Sequence, residues 1–435
     1  MRGIDERERA ALERRALELL DSCQEELYEF VAAAVRIPSI TGDETQFGQF
    51  VFEWLTRHGF ETYTRTVSED LKQEVGGFEG ELDLDRRPNV FAWLRGDGAS
   101  DRQLVLSTHQ DVVSPGAPET WSCDPWGGER RDGRIWGRGS TDMKGSIGAA
   151  LFALRALQES GLRPASDVEL QCVVGEENGG LGTLGALASE PPPAGAIVLE
   201  PTVLVPLPAC SGCVHFTVTV DGRAAHGATP WKGVSALDKL IVVYTALKDL
   251  ADRRRGEQDH ALFAGLPDAA PLSMGVARAG EWRSSVPDKA TMIGRFGVMP
   301  DESIAHGREQ IVSAVREAAA GDDWLREHRP RVSWDNAGFP GWETAPDAPI
   351  VQTVIGALEA VTNQRVIGAA TYGSDAGHFA TAGVPVVLFG PGRIDDAHAP
   401  DESVDEDEIL TCAKVLALTV ARQRLGAADG SDGNR

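Results

Sequence analysis

Gln103-Leu-Val-Leu-Ser-Thr-His109-Gln-Asp111 and Val168-Glu-Leu-Gln-Cys-Val-Val-Gly-Glu176-Glu177 each run an apolar, strand-like segment straight into side chains that can ligate a metal. Two more stretches do the same: Ala196-Ile-Val-Leu199 leads into Glu200, and Pro385-Val-Val-Leu-Phe389 leads toward His398. A further carboxylate, Asp142, sits in the glycine-dense loop Gly137-Arg-Gly-Ser-Thr-Asp-Met-Lys-Gly145. In open α/β sheets the binding crevice lies outside the carboxyl ends of the strands, so these acids and imidazoles read as one site. Two histidines and three or four carboxylates are too many for one cation and suit two.

Working outward, strands and helix-like runs such as Ile147 to Gln158 alternate between residues 103 and 200. That pattern predicts an α/β fold, a mostly parallel sheet with helices on both faces. Residues 5 to 35 carry Leu19, Leu20, Leu27, Phe30 and Val31 at helical spacing and predict one long amphipathic first helix. After the prolines at 191–193 and 206–208 the pattern changes. Val214, Phe216, Val218 and Val220 alternate as a half-buried strand, and the order of segments to 334 is β-α-β-β-α-β, the ferredoxin-like arrangement. Residues 213–330 are therefore expected to form a second domain interrupting a first made of 1–212 and 331–435. The small, polar tail from Ala427 to Arg435 is expected to be disordered.

At 435 residues two domains are expected, and 42% apolar with 25% charged residues is ordinary for a soluble globular chain. A formal charge of −24 would repel phosphate backbones and anionic membranes, which argues against nucleic-acid and membrane partners. The start, Met1-Arg-Gly-Ile-Asp-Glu-Arg, has no signal-like apolar core, and no stretch approaches the ~18 apolar residues of a membrane span, so the cytoplasm is the expected compartment. Six scattered cysteines do not suggest a disulfide framework, and the lone Cys210-Ser-Gly-Cys213 reads as structural.

The pairing of His109 with Asp111 fits a ligand imidazole whose second N–H is taken by a carboxylate. Glu176 and Glu177 repel one another at the end of an apolar strand, which is costly unless cations neutralise at least one. Neighbouring residues point opposite ways, so one can ligate while the other meets a water as general base. Glu200, after four apolar residues, needs a partner, and a metal supplies it. Gly180-Leu-Gly182-Thr-Leu-Gly185 matches G-x-G-x-x-G, yet two carboxylates precede its first glycine and would oppose a pyrophosphate; the glycines read instead as letting a helix start close to the sheet. No G-x-S-x-G elbow is present.

His109-Gln-Asp111, Gly137 to Gly145, Glu176-Glu-Asn-Gly-Gly180, Glu200-Pro-Thr and His398-Ala-Pro-Asp-Glu402, in this order, resemble the signature set of the M20 metallopeptidase family, which includes acetylornithine deacetylase, succinyl-diaminopimelate desuccinylase, aminoacylase-1 and the glutamate carboxypeptidases. The similarity spans roughly residues 25 to 420. It implies a zinc-exopeptidase-like catalytic domain interrupted by a lid or dimerisation domain. It further implies two divalent cations, zinc first, with cobalt or manganese as alternatives: His109 and Glu200 on one, Glu177 and His398 on the other, and Asp142 bridging. Glu176 takes the acid/base role, Asp111 supports His109, and a cis peptide follows Asp142. His226 in Gly222-Arg-Ala-Ala-His-Gly matches the lid histidine that reaches the reacting carbonyl, often across a homodimer, and Ser374 in Gly373-Ser-Asp-Ala376 matches a cleft-lining segment. Where relatives carry Asp-x-Arg in a lid strand, this chain reads Arg295-Phe-Gly-Val-Met-Pro300, leaving Arg295 or Arg283 as candidates for a substrate carboxylate. The resemblance implies an amidohydrolase that deacylates an N-acyl amino acid or related small compound, with a dipeptidase or carboxypeptidase as the second reading. A non-catalytic metal-binding scaffold and a dinucleotide oxidoreductase are the readings from other classes.

Overall fold

The computed structural model describes residues 6–75, 84–98, 103–334 and 337–423; the tail expected to be disordered lies outside them. The strands that carry the site belong to a six-stranded sheet in the order Glu61–Arg65, Asn89–Leu94, Val168–Val173, Leu104–His109, Gly195–Val198, Val386–Leu388. The last four run parallel to one another, and the two outer ones are added antiparallel. Leu104–His109 and Val168–Val173 are buried at every position, as continuous apolar strands covered on both faces must be. Leu104 and Leu106 point into a core built with the helices Gln24–Val35, Gly145–Ser160, Pro349–Thr362 and Glu406–Arg422. Val105 points the other way, against Phe379 and Ala376 of the short helix Ala376–Thr381.

The helix Gly145–Ser160 is buried around nearly its whole circumference. A Cβ at Gly148 would lie 2.5 Å from Val31 Cγ2, so glycine is what lets the helix Gln24–Val35 pack so closely. The single long first helix expected from the pattern is instead two, Glu6–Ser22 and Gln24–Val35, broken at Cys23 with φ −108° and ψ 15°. A straight helix of that length would extend ~45 Å and run off the core. The break lets Leu20 and Leu27 reach the same core.

A second sheet, Leu272–Ala279, Lys289–Val298, Gly212–Asp221 and Arg331–Trp334 in spatial order, is antiparallel throughout. The helices Ala236–Glu257 and Ile304–Ala320 cover one face, closing a separate core around Phe216, Val218, Leu247, Phe296 and Ile311. The order is that of the β-α-β-β-α-β reading. Its fourth strand lies just past residue 330, because Arg331–Trp334 pairs along Gly212–Asp221. At the free edge, Leu272–Ala279 is mostly exposed beyond its first residue.

Candidate active site

His109 ends its strand, Glu176 and Glu177 follow Val168–Val173, Glu200 follows Gly195–Val198, and His398 lies in the loop after Val386–Leu388. All five therefore gather at the carboxyl ends of parallel strands, where Asp142 joins them from the Gly137–Gly145 loop. Donor atoms of His109, Glu176 and Glu200 all lie within 4.8 Å of one another, and so do those of Asp142, Glu177 and His398. Asp142 stands between the two histidines, with Oδ1 3.0 Å from His109 Nε2 and Oδ2 3.4 Å from His398 Nε2. Glu177 Oε2 lies 3.0 Å from His398 Nε2. The Asp142–Met143 peptide is cis.

Asp111 does more than face an imidazole. Its Oδ1 accepts from the Glu176 N–H at 3.1 Å, and its Oδ2 accepts from the Glu177 N–H at 3.1 Å and from Thr41 Oγ1 at 2.9 Å. His109 Nδ1 donates to the Asp111 backbone oxygen at 2.9 Å, while the carboxylate stands off at 3.6 Å. A carbonyl oxygen only accepts, so Nδ1 carries the proton and Nε2 is the nitrogen left to ligate. The carboxylate is thus spent on the turn that presents the two glutamates.

Burial and the charge of Glu200 push the Glu176 carboxyl well above the ordinary range, and burial with Asp142 does the same to Glu200. Asp142 goes the other way: burial would raise it, but the imidazoles of His109 and His398 hold it below the usual range. His398 is pushed up to about 11 by Asp142 and Glu177 against the opposing effect of burial. Glu200 Oε1 is buried with no hydrogen-bond partner among the described residues. Four carboxylates against two imidazoles leave negative charge that a water-poor pocket cannot hold alone, and divalent cations are what such a mixed N/O donor set fits.

The turn after Glu177 is clamped from a distant segment. His378 Nε2 donates to Gly179 O at 2.9 Å, and Thr183 Oγ1 donates to Asp375 Oδ2 at 2.7 Å. Burial pushes Asp375 up to about 7 and His378 down to about 4. Gly180, at φ +81°, would place a Cβ 2.3 Å from Asp375 Oδ1, so only glycine fits there. A Cβ at Gly182 would fall 2.3 Å from Val174 O, which accounts for this glycine by close helix-to-strand packing.

Ser374 is buried and its Oγ lacks a partner among the described residues. His226 is not brought to the cluster: it lies exposed on the short strand pair Ala225–His226 with Ser285–Val286, its Nδ1 accepting from the Ala228 N–H. Arg295 Nη2 donates to Thr371 O at 2.6 Å, three residues before Ser374, whereas Arg283 sits against the exposed Trp282 ring. Cys210 and Cys213 are free and buried, with Cys210 Sγ donating to Tyr372 O. Sequence reasoning passed over Thr41, Asp375, His378, Arg138 and Glu402. Of these Arg138, Asp375 and Glu402 stood in motifs already singled out; Thr41 and His378 reach the site from segments with no local metal-binding pattern.

Residues 105–422 match the model of peptidase family M20/M25/M40. An N-formyl-4-amino-5-aminomethyl-2-methylpyrimidine deformylase of Halalkalibacterium halodurans is 28% identical over 382 residues, covering 81% of this chain and 86% of that one. A probable carboxypeptidase of Aspergillus terreus is 31% identical over 388 residues, covering 85% of this chain and 80% of its own. Among solved structures, the dipeptidase Dug1p of Saccharomyces cerevisiae superposes with a TM-score of 0.75 at 16% identity, covering 94% of this chain and 98% of that chain, which is a likeness of fold.

Proposed function

This chain belongs to peptidase family M20/M25/M40, hydrolases of amide C–N bonds, and on that premise we propose a deacylase that frees a small amine from an N-acyl compound. The observation that carries the reading is the placement of Asp142 between two histidines, with Glu176 and Glu200 beside one and Glu177 beside the other. In this reading His109 and Glu200 would hold one cation, Glu177 and His398 the other, and Asp142 would serve both; zinc suits the donors, and cobalt or manganese would also. Bound there, two divalent cations would acidify a shared water and polarise the scissile carbonyl.

Glu176 would take a proton from the attacking water and deliver it to the leaving amine. A buried carboxyl with a raised proton affinity suits both halves of that task. Asp111 fixes its aim by holding the Glu176 and Glu177 amides together. Ser374 Oγ is a free donor for substrate, and His226 donates to the oxyanion. Being exposed, His226 would arrive from a second copy. The edge Leu272–Ala279, unpaired on one side among the described residues, and the exposed stripe Leu237, Ile241 and Tyr244 on the helix Ala236–Glu257 are the surfaces through which the second sheet and its helices, as a lid, would form that homodimer. The catalytic domain, expected as 1–212 and 331–435, would then comprise the chain before Gly212 and after Trp334. Six free cysteines favour the reducing cytoplasm.

The deformylase relative supports removal of an acyl group, and the carboxypeptidase relative supports a second reading as a dipeptidase or carboxypeptidase, for which Arg295, bonded to Thr371 O, is the candidate arginine. The test is amine release from N-formyl, N-acetyl, N-succinyl and longer N-acyl amines and amino acids beside dipeptides, with zinc- or cobalt-loaded protein and a chelated control. Chelator-sensitive turnover of the acyl series is expected. Turnover of dipeptides alone would move the enzyme to the second reading.

A further inference from the structure

Glu402 is fully buried, and both of its carboxylate oxygens are committed. One takes Arg138 Nη1; the other accepts the Thr141 N–H at 2.9 Å and the Asp142 N–H at 3.1 Å. The same short segment is stitched to the Asp142 loop twice more, through Gly137 N–H to Glu402 O at 2.8 Å and Thr141 Oγ1 to Ser403 O at 2.8 Å. Ser403–Asp405 also pairs antiparallel with Arg134–Trp136, immediately before that loop.

His398 lies only four residues upstream of Glu402, and both His398 and Asp401 sit in the left-handed region, at φ +61° and +59°. Non-glycine residues hold such backbone only where the surroundings over-determine it. Here Asp401 Oδ1 accepts the Ser122 N–H at 2.7 Å and Glu402 anchors the next position. A buried ion pair is a poor way to gain stability compared with apolar packing, so its location is the informative fact. This one touches the amide of a ligand on one side and adjoins the segment of a second ligand on the other.

We propose that Glu402, held by Arg138, is a positioning residue that fixes Asp142 and His398 relative to each other, so that the cation site made by Asp142, Glu177 and His398 depends on it. The inference rests on the dinuclear reading above. Outer partners of metal ligands typically change affinity by about 10- to 100-fold when altered. Glu402→Gln, which removes the charge and the Arg138 pair while keeping the shape, should weaken the second equivalent of Zn²⁺ by about that factor and the first, which Asp142 also serves, by less.

Zinc titration against a chromophoric chelator reads both equivalents in the folded protein. Two equivalents bound as tightly by Glu402→Gln as by the parent, with only the melting temperature lowered, would overturn the proposal. Failure of the parent chain to bind two equivalents would instead sink the dinuclear reading itself. Should Glu402→Gln not fold, Arg138→Lys, which keeps the charge but loses the planar fork, should show the same selective loss of the second equivalent, and unchanged binding would count against the proposal. In the metal-free parent chain the Thr141 and Asp142 amides should exchange with solvent at least about 100-fold more slowly than an open loop. Loop-like exchange at both would show that Glu402 does not hold them.

Discussion

Glu302 and Glu176 are both carboxylates drawn away from water, and the chain treats them in opposite ways. Glu302, at the end of the second sheet, receives Arg254 on both oxygens and the Met299 N–H on one. Burial would raise its carboxyl, but those partners draw it down to about 2. Glu176 has no guanidinium or ammonium partner among the described residues, and burial with Glu200 drives it up. Elsewhere in the catalytic half the chain closes such charges itself, pairing Glu44 with Arg87 and Glu402 with Arg138 in the interior. At the cluster of Asp142, Glu176, Glu177 and Glu200, four buried or nearly buried acids gather with no arginine or lysine paired to them among the described residues. A protein able to supply arginines to buried acids, and withholding them at one strand-end crevice, has left that charge for something it binds.

The largest effect that would test this contrast is Glu176→Gln, expected to lower turnover by about 10⁴-fold with two metal equivalents retained. Loss of metal alongside activity would make Glu176 a ligand and blur the distinction. Next is removal of the cations: at free metal 100-fold above Kd each site adds about 2.7 kcal/mol to the folded state, so chelation should cost about 5 kcal/mol in denaturant unfolding. The pH dependence should then change sign. Glu176 and Glu200 have folded values above 4.5, so in metal-free protein they contribute stability that is full below 4.5 and lost as pH rises through those values. Metal-free protein should therefore gain stability as pH falls from 8 toward 5, whereas zinc-loaded protein should lose it as protons compete for the ligands. Parallel slopes would break the comparison.

In the second sheet Glu302→Gln should destabilise by about 3 kcal/mol while leaving turnover per folded molecule intact. The native Glu302 contribution, by the opposite sign, is present above 4.5 and is lost as pH falls toward about 2. Smallest of all, Arg331→Gln at the largely exposed pair with Asp221 should change stability by no more than about 0.5 kcal/mol, since solvent and salt screen it.

Much of this was legible in the sequence because the relevant signals are local. An apolar run ending in His109, or in Glu176 and Glu177, declares both a strand and the end that faces the site. The alternation of Val214, Phe216, Val218 and Val220 likewise announced a half-buried strand, and the structure buries all four. What escaped was set by partners far along the chain. Cys23 breaks a helix because of where the core lies, not because of any breaker residue. Asp111 looked like a partner of His109 two residues away, yet its carboxylate serves amides 65 and 66 positions downstream. His378 and Gly179 meet across 199 residues, and Glu402 meets Arg138 across 264, distances over which residue pattern carries no register.

The ligand cluster opens with His109 and closes with His398, and the whole second sheet is inserted between them. During synthesis, therefore, all but one of the binding groups emerge long before the last, and the intervening sheet can fold while the crevice still lacks its final imidazole. Coordination by the full set is possible only after His398, and the second sheet before it, have been made. On the proposed ligand set, a bound metal would be a seal applied to an assembled chain rather than a nucleus around which the chain is built.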